Sequence, residues 1–565
     1  MTHSAAQRDA YDVVIVGSGA GGGMAAWALT RAGIRVLVLE AGTPWDNTRD
    51  AQMLRWPYDS PHRGAGNRWK PFGEFLACNG GWELDGEPYT RAPGTTFSWW
   101  RARMVGGRTN AWGRISLRFG PADFRRGDLD GLSPNWPVTY EDLAPYYDRL
   151  DRLVGLFGSA EGLPNDPDGI FQPPPRPRAY ELLVMDAARR LNVTCIPGRL
   201  SILSRPLGGR PACHWCGQCG RGCATNANFT STNVLLTPAQ ATGRLTLRTG
   251  AMVREVTVDA RGRASGVVYV NRADGSEERV RARVVVLAAS ALESVRLLLN
   301  SKSAAFPDGL ANASGMLGRH ITDTTGTDVA GFIPRLVGRT RYNEDGAGGG
   351  HVYMPWWLDN RGLDFPRGYH IEVGGGLGVP GAGFMGGIHR YPHGGGWGRR
   401  LKQDYRDYYG TTIGFSGRGE MIPNADTYCE LDPEVKDRWG IPVLRFHWKW
   451  TDHEYGQVRH MQQTFRALVE AMGGQVFSPM PTREQGYGIS AGGQIIHELG
   501  GARMGTDRGA SVLNAYAQAH DVPNLFVADG APFVSQADKN PTWTIMALAM
   551  RTSDYISAQM RARQL

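Results

Sequence analysis

The chain has 565 residues, 41% of them hydrophobic, and a formal net charge of +8. That length suits two or more domains with sizeable cores and excludes a small binding module. No run of 18 apolar residues occurs, which argues against a helical membrane span, and basic residues alternate with acids, as in 123–128 and 432–438. The excess charge therefore reads as solvated surface. A non-catalytic zinc or nucleic-acid-binding protein, the reading that charge and cysteines alone could suggest, is disfavoured because no basic stripe forms.

The opening MTHSAAQRDAYD is polar and lacks both the basic-then-apolar pattern and the twin arginine of an export signal. The expectation is a chain with no signal of its own. From Tyr11 to Gly42 follows YDVVIVGSGAGGGMAAWALTRAGIRVLVLEAG. Val13 to Val16 predicts a buried parallel strand, and Gly17, Gly19 and Gly22 supply G-x-G-x-x-G at its C-terminal end. Gly17 permits the tight turn, Gly19 lets backbone approach a pyrophosphate, and Gly22 lets the next helix lie on the strand. Met24 to Ala32 predicts that helix, Gly33 ends it, and Arg35 to Leu39 predicts a second strand. Glu40 stands 23 residues after Gly17, the spacing of an acid that accepts a bond from an adenosine ribose hydroxyl. Together these features predict a dinucleotide-binding βαβ unit.

Further along, helices are predicted at Tyr140 to Leu156, Ala179 to Leu191, His453 to Met472 and Pro541 to Gln559. Residues 244 to 300 form a second organised unit: Leu245 to Leu247, Val253 to Val258 and Ala264 to Val270 alternate as half-buried strands. Arg281 to Ala288 is a strongly apolar strand, followed by a helix from Ala289 to Asn300. This unit predicts a small antiparallel sheet feeding a parallel strand that returns to the first sheet. The middle, at 346–350, 374–387 and 394–398, is glycine-rich with interspersed aromatics and predicts loops and strand ends. Near the C-terminus, HELGGARMG begins at His497, a strand from Asn524 ends in Asp529 and Gly530, and NPTWT begins at Asn540. The helix from Pro541 would present free N-terminal amides to an anion.

Four of the seven cysteines fall together: Cys213, Cys216, Cys219 and Cys223 give C-x2-C-x2-C-x3-C. That spacing matches the bacterial ferredoxin run, except that Ala224 stands where proline usually follows. An iron–sulfur cluster is one reading. Zinc fits less well, since its ligands usually come in two separated knuckles, and free or disulfide-bonded thiols are the third. Cys78, Cys195 and Cys429 are scattered and suggest no disulfide framework.

Gly17 to Glu40, the strand at Arg281 to Ala288 and the segments at His497, Asp529 and Asn540 together resemble the glucose-methanol-choline (GMC) oxidoreductases. The resemblance implies an α/β fold: a discontinuous Rossmann-type FAD-binding domain with a sheet-based, pyranose-oxidase-like substrate domain. On this division residues 8–45, 100–118, 235–320 and 495–565 form the FAD domain, 200–230 the cysteine segment and 320–495 the substrate domain. His497 matches the family's catalytic histidine, and Asn540 its partner. A neutral imidazole can take the hydroxyl proton while hydride passes to flavin N5, and the Asn540 amide can hold the substrate oxygen. Gly106, Gly107 and Asn110 match the loop over the flavin, Val253 a contact to FAD, Asp529 and Gly530 the strand end at ribityl and phosphate, and Pro541 and Thr542 the helix start near the isoalloxazine. Some sugar oxidases of the superfamily carry a flavin-bonded histidine within Thr-His-Trp; here Asn110-Ala111-Trp112 has none, which predicts noncovalent FAD.

The cysteine run followed by ATNANFTSTNVLLTPAQA looks most like bacterial sugar dehydrogenases of the family, especially glucoside 3-dehydrogenases. The resemblance implies a sugar or glycoside substrate oxidised at C3 to a 3-keto sugar. It also implies an iron–sulfur centre, a small partner subunit, a c-type cytochrome acceptor and no nucleic acid. The small subunit can carry the export signal, so the chain is expected in the cytoplasm or, by co-export, in the periplasm. An oxygen-using sugar or alcohol oxidase of the same fold is the alternative. Pyranose faces stack on aromatic rings while polar groups read hydroxyls. His351, Tyr353, Trp356, Trp357, His370, Glu372 and Glu420 are therefore candidate contacts, each also readable as core or loop structure.

Overall fold

The computed structural model describes residues 11–53, 55–60, 62, 65–66, 76–339, 346–377 and 387–565. The polar start at 1–10, and residues 378–386 of the glycine-rich middle, lie outside the described residues.

The strand Tyr11–Val16 runs parallel to Val36–Leu39 on one side and to the second half of Glu277–Leu287 on the other. Val13, Val14 and Ile15 are fully buried, as a parallel strand covered on both faces requires. Each such side chain contributes roughly 1.5–3 kcal/mol. Leu525–Val527 pairs in parallel with residues 285–287, so a segment more than 500 residues from the start joins the same sheet. Leu245–Arg248 also pairs in parallel, against Val36–Leu39, and so extends this sheet rather than the antiparallel unit expected for it. The hairpin Ala251–Val258 and Ala264–Asn271 is antiparallel and pairs with the first half of Glu277–Leu287. That long strand thus changes partners midway. It carries the hairpin at one end and the centre of the parallel sheet at the other.

Because these strands are parallel, their carboxyl ends share one edge. Gly17, Glu40, Ala288 and Ala528 follow Val16, Leu39, Leu287 and Val527 directly, which is where open α/β sheets bind ligands. The helix Ala20–Arg31 buries Met24, Ala25, Ala26 and Leu29 and packs against the C-terminal helix Thr542–Arg561. Tyr140–Val154, started by a Thr139–Asp142 capping box, packs against that C-terminal helix too.

A second, antiparallel sheet has the order Gln475–Val476, Asp328–Phe332, Thr412–Gly419, Tyr369–Gly375, Val352–Met354, Ile196–Pro197. Tyr369, Ile371, Val373, Ile413 and Phe415 point to one face and form a separate core with Val458, Met461 and Phe465 of the helix Asp452–Ala471. Alternation sends His370, Glu372, Ser416 and Arg418 to the opposite face, with His370 paired to Arg418 and Glu372 to Ser416. The sheet thereby offers a charged surface. One helix, Arg399–Tyr408, forms just after the glycine-rich stretch and was not foreseen; its sequence is almost wholly polar.

Candidate active site

One pocket runs along the carboxyl edge of the parallel sheet. Gly17, Gly19, Glu40, Gly107, Val253, Asp529, Gly530, Pro541, Thr542 and His497 all line it. Gly17 has φ +99°, and a Cβ there would lie 2.3 Å from Ala288 O, so the turn admits only glycine. A Cβ on Gly19 would meet nothing within 4 Å, which leaves the backbone open toward the pocket. The helix behind it begins at Ala20 with no side-chain cap, leaving amides for an anion. Gly22 faces away from the pocket, and a Cβ there would stand 2.0 Å from Gly17 O.

Glu40 accepts bonds from Ser18 N (3.1 Å), Ser18 Oγ (2.5 Å) and Gly42 N (2.7 Å), while burial pushes its carboxyl above the usual range. Ser18 Oγ also accepts from Gly106 N at 3.0 Å and so stitches the Gly106–Asn110 loop to the first turn. Sequence reading passed over Ser18 because it occupies a variable position of the glycine motif. Asn110 donates from Nδ2 to Val105 O (2.8 Å) and Gly107 O (3.2 Å), shaping the loop from within. Asp529 accepts from Ser294 Oγ at 2.5 Å, and burial pushes it up to about 6.

At the other end of the pocket His497 is half-buried. Its Nδ1 lies 2.9 Å from Thr324 Oγ1, which also accepts from Gln536 Nε2 at 3.1 Å. Its Nε2 is 3.4 Å from Asn540 Nδ2. An amide nitrogen only donates, so Nε2 carries the lone pair and Nδ1 the proton. Burial, then the charge of Arg418, lowers the imidazole to about 3, with Glu372 opposing. His497 is therefore neutral across the physiological range. Asp323 supports the loop beneath, accepting from His497 N (3.0 Å), Thr324 N (2.8 Å) and Ile495 N (3.3 Å). Burial and the neighbouring Glu498 push Asp323 up to about 7. Glu498 forms a two-pronged pair with Arg108 (2.6 and 3.0 Å), tying the histidine segment to the Gly107–Asn110 turn.

Asn540 Nδ2 also donates to Glu372 Oε1 at 3.1 Å, and Glu372 accepts from Arg418 Nη2 at 2.9 Å. Burial alone would raise Glu372, but Arg418, His370 and Asn540 hold it below the usual carboxylate range. The Asn540 amide, which the resemblance expects to hold the substrate oxygen, directs its N–H groups at His497 Nε2 and Glu372 Oε1, and its Oδ1 is buried without a hydrogen-bond partner.

Of the seven candidate sugar contacts, only His370 and Glu372 reach this site. His370 Nε2 is 3.5 Å from Glu372 Oε1. His351 bonds Glu181 through its backbone, Tyr353 donates to buried Asp166, and Trp357 packs edge-on against Tyr369. Trp356 lies under Arg126. Glu420 pairs with Arg126 and, with Asp123 and Asp538, forms a buried acidic trio. Lys539 Nζ lies 3.1 Å from Asp123 and 2.5 Å from Asp538, so Lys539 and Arg126 already set two protein cations against that trio. All five serve packing or internal ion pairing.

Cys213, Cys216, Cys219 and Cys223 are all unpaired thiols on one loop, within electrostatic reach of each other. Trp215 N and Gln218 N donate to Cys213 Sγ (3.3 Å) and Cys216 Sγ (3.4 Å). Among the described residues, only the acidic trio brings three potential ligand atoms within 4.8 Å of one another. No three of the four thiols lie within 4.8 Å of one another.

Family models described as GMC oxidoreductase match residues 12–319 and 423–549. The chain belongs to the GMC oxidoreductase family. A 2-methyl-1,2-propanediol dehydrogenase of Mycolicibacterium austroafricanum is 32% identical, over 99% of this chain and 96% of that one. The fructose dehydrogenase large subunit of Gluconobacter japonicus is 25% identical, over 96% and 97%. Among solved structures, an Aspergillus oryzae formate oxidase studied for FAD modification shares the fold, with TM-score 0.65, 14% identity and coverage of 98% and 99%. The α/β architecture is that of a GMC flavoenzyme, an FAD-binding part joined to a substrate-binding sheet, and as a GMC oxidoreductase the chain acts on CH–OH groups of sugars or alcohols. Among the described residues no helix is long and apolar enough to cross a membrane.

Proposed function

We propose that this chain is a dehydrogenase that binds FAD noncovalently and oxidises a secondary hydroxyl of a sugar or glycoside, at C3, to the keto sugar. The observation that carries this reading is the continuous pocket with Glu40 and Val253 at one end and His497 at the other. FAD bound along it supplies the hydride acceptor. Glu40 receives the ribose hydroxyls, and the uncapped start of Ala20–Arg31 meets the pyrophosphate. Asp529, Gly530, Pro541 and Thr542 border the flavin end. His497 Nε2 takes the hydroxyl proton once the substrate hydroxyl displaces the long 3.4 Å contact from Asn540 Nδ2, its tautomer held by Thr324. Asn540, its N–H freed by that displacement, holds the substrate oxygen. Glu372, Arg418 and His370 supply the charged face that such a polyol requires. Ala111, in place of a histidine, leaves the flavin unanchored.

Cys213, Cys216, Cys219 and Cys223 would hold an iron–sulfur cluster, which supplies a one-electron centre between a two-electron flavin and a one-electron acceptor. The N–H groups of Trp215 and Gln218, directed at the sulfurs of Cys213 and Cys216, support this reading. The acceptor is proposed to be a c-type cytochrome, reached with a small partner subunit; a relative named as a large subunit supports this. Compartment follows the partner, cytoplasm or periplasm.

The test is anaerobic mixing with a panel of sugars, glycosides and small diols, followed by product identification. Flavin bleaching by sugars with a 3-keto product is expected. Bleaching by small diols alone overturns the sugar assignment. Peroxide formation matching substrate consumption, without any need for dye, overturns the dehydrogenase assignment in favour of an oxidase.

A further inference from the structure

His370 shares a face of the strand Tyr369–Gly375 with Glu372, and at 1% exposure it is too buried to meet a substrate directly. Its Nδ1 bonds Asp538 O, a carbonyl that only accepts, so Nδ1 carries a proton. Its Nε2 faces Glu372 Oε1 at 3.5 Å and has no hydrogen-bond partner of its own. Glu372 accepts from Arg418 Nη2 at 2.9 Å and from Asn540 Nδ2 at 3.1 Å, and these bonds keep it ionised. A lone pair on Nε2, buried and turned toward a carboxylate, would be both repelled and unsolvated. A second proton on the ring removes that conflict.

The contacts keep a register. His370 and Glu372 are two residues apart on the strand, and their partners Asp538 and Asn540 are two residues apart on the segment leading into the helix Thr542–Arg561. The strand belongs to the substrate sheet, whereas the helix packs against Ala20–Arg31 of the dinucleotide unit. The two contacts therefore join the two halves of the molecule at the residue before which the substrate must lie. Asp538 adds a charge argument. It is one of the buried acidic trio, whose three carboxylates face two cations, Lys539 and Arg126, and its Oδ2 lies 3.9 Å from His370 Nδ1. A doubly protonated His370 supplies a third cation there and attracts Glu372 from its other nitrogen.

We infer that His370, protonated on both ring nitrogens, is a positioning residue for hydride transfer: it clamps residues 538–540 to the substrate sheet and, through Glu372, holds Asn540 beside His497. The inference rests on the reading of His497 and Asn540 as the pair that handles the substrate hydroxyl. A neutral side chain able to donate once would keep the bond to Asp538 O and lose the attraction to Glu372. Asn540 would then lose its fixed orientation. A misplaced donor costs rate more than binding, because orientation counts most in the transition state.

The experiment uses the full chain with FAD bound and whichever member of the sugar and diol panel bleaches its flavin. His370→Gln is expected to slow the limiting rate of flavin reduction by about tenfold or more, while the half-saturating substrate concentration changes by less than about threefold. Wild-type protein carrying nitrogen-15 histidine is expected to show, at neutral pH, a ring with both nitrogens protonated, a signal that His370→Gln removes. An unchanged limiting rate, a loss confined to substrate affinity, or a His370 ring with a single protonated nitrogen overturns the inference. If His370→Gln does not fold, the histidine spectrum decides with Glu372→Gln. A doubly protonated ring among the 13 histidines that turns neutral in that variant supports the inference, and its absence or persistence overturns it. A His497→Ala protein that reduces its flavin at the wild-type rate overturns the catalytic pair itself, whatever His370→Gln does.

Discussion

Glu372 Oε1 accepts a hydrogen bond from Asn540 Nδ2 at 3.1 Å, and this single bond fixes the orientation of the asparagine amide beside His497. A flipped amide would set its oxygen against a carboxylate. Glu372→Gln removes that repulsion and the ion pair with Arg418, so the amide can adopt either orientation. Stopped-flow flavin reduction is expected to slow by about tenfold or more, as loss of orientation does. An unchanged rate would show that Glu372 does not orient Asn540.

His497→Ala should retain FAD while flavin reduction slows by roughly 10²–10⁴-fold, the range for loss of a general base. Wild-type reduction kinetics serve as the reference, and an undiminished rate would remove His497 from the chemistry.

The pH profile carries its own signature. A histidine at its ordinary value near 6.5 would be only about 3% neutral at pH 5. Because burial and Arg418 lower His497 to about 3, its proton-accepting form persists well below pH 6. The acid limb of kcat/KM caused by this residue is therefore expected near pH 3, beyond the usual assay range. A limb near pH 6.5 that disappears in His497→Ala would contradict this.

Asp323 has the opposite sign. Its folded value, about 7, lies above the unfolded value near 3.9, so the folded state binds the proton more tightly. The associated stability is fully present below about pH 4 and is lost as pH rises through 7. Asp323→Asn keeps an acceptor for His497 N and cannot ionise. Its melting temperature relative to wild type should rise between pH 4 and pH 8, and a constant difference would exclude the linkage.

Gly17→Ala would drive a Cβ to within 2.3 Å of Ala288 O, a backbone atom that cannot yield cheaply. Loss of bound flavin is expected, with destabilisation of about 1–3 kcal/mol from strain and overpacking. Purified protein with full flavin content and an unshifted melt would show that the turn tolerates a side chain.

The first βαβ unit was legible because its glycines, apolar runs and Glu40 are consecutive, and helix limits at Tyr140, Ala179 and Asp452 follow local caps and periodicity. The partner change within Glu277–Leu287 was half-legible. The apolar half announced a parallel strand, but nothing local told Leu245–Arg248 to leave the hairpin and join Val36–Leu39. At the site, HELGG and NPTWT marked His497 and Asn540 directly. Thr324 and Asp323 were hidden because their meaning lies in contacts to residues 173 and 174 positions away, whereas Glu372 was named as a candidate contact without its partner Asn540. Conversely, His351, Tyr353 and Glu420 looked like ligands by composition, and burial revealed them as ion-pair and packing groups.

The parallel pairing of Leu525–Val527 with residues 285–287 has a consequence for the order of manufacture. A nascent chain can complete the first glycine turn early, yet its ligand groove lacks a wall until Leu525–Val527 has left the ribosome. Closing so long a loop is slow, and the half-finished sheet presents a bare edge meanwhile. A messenger truncated shortly before Asn524 would therefore yield a chain that carries the dinucleotide signature intact and cannot retain the dinucleotide.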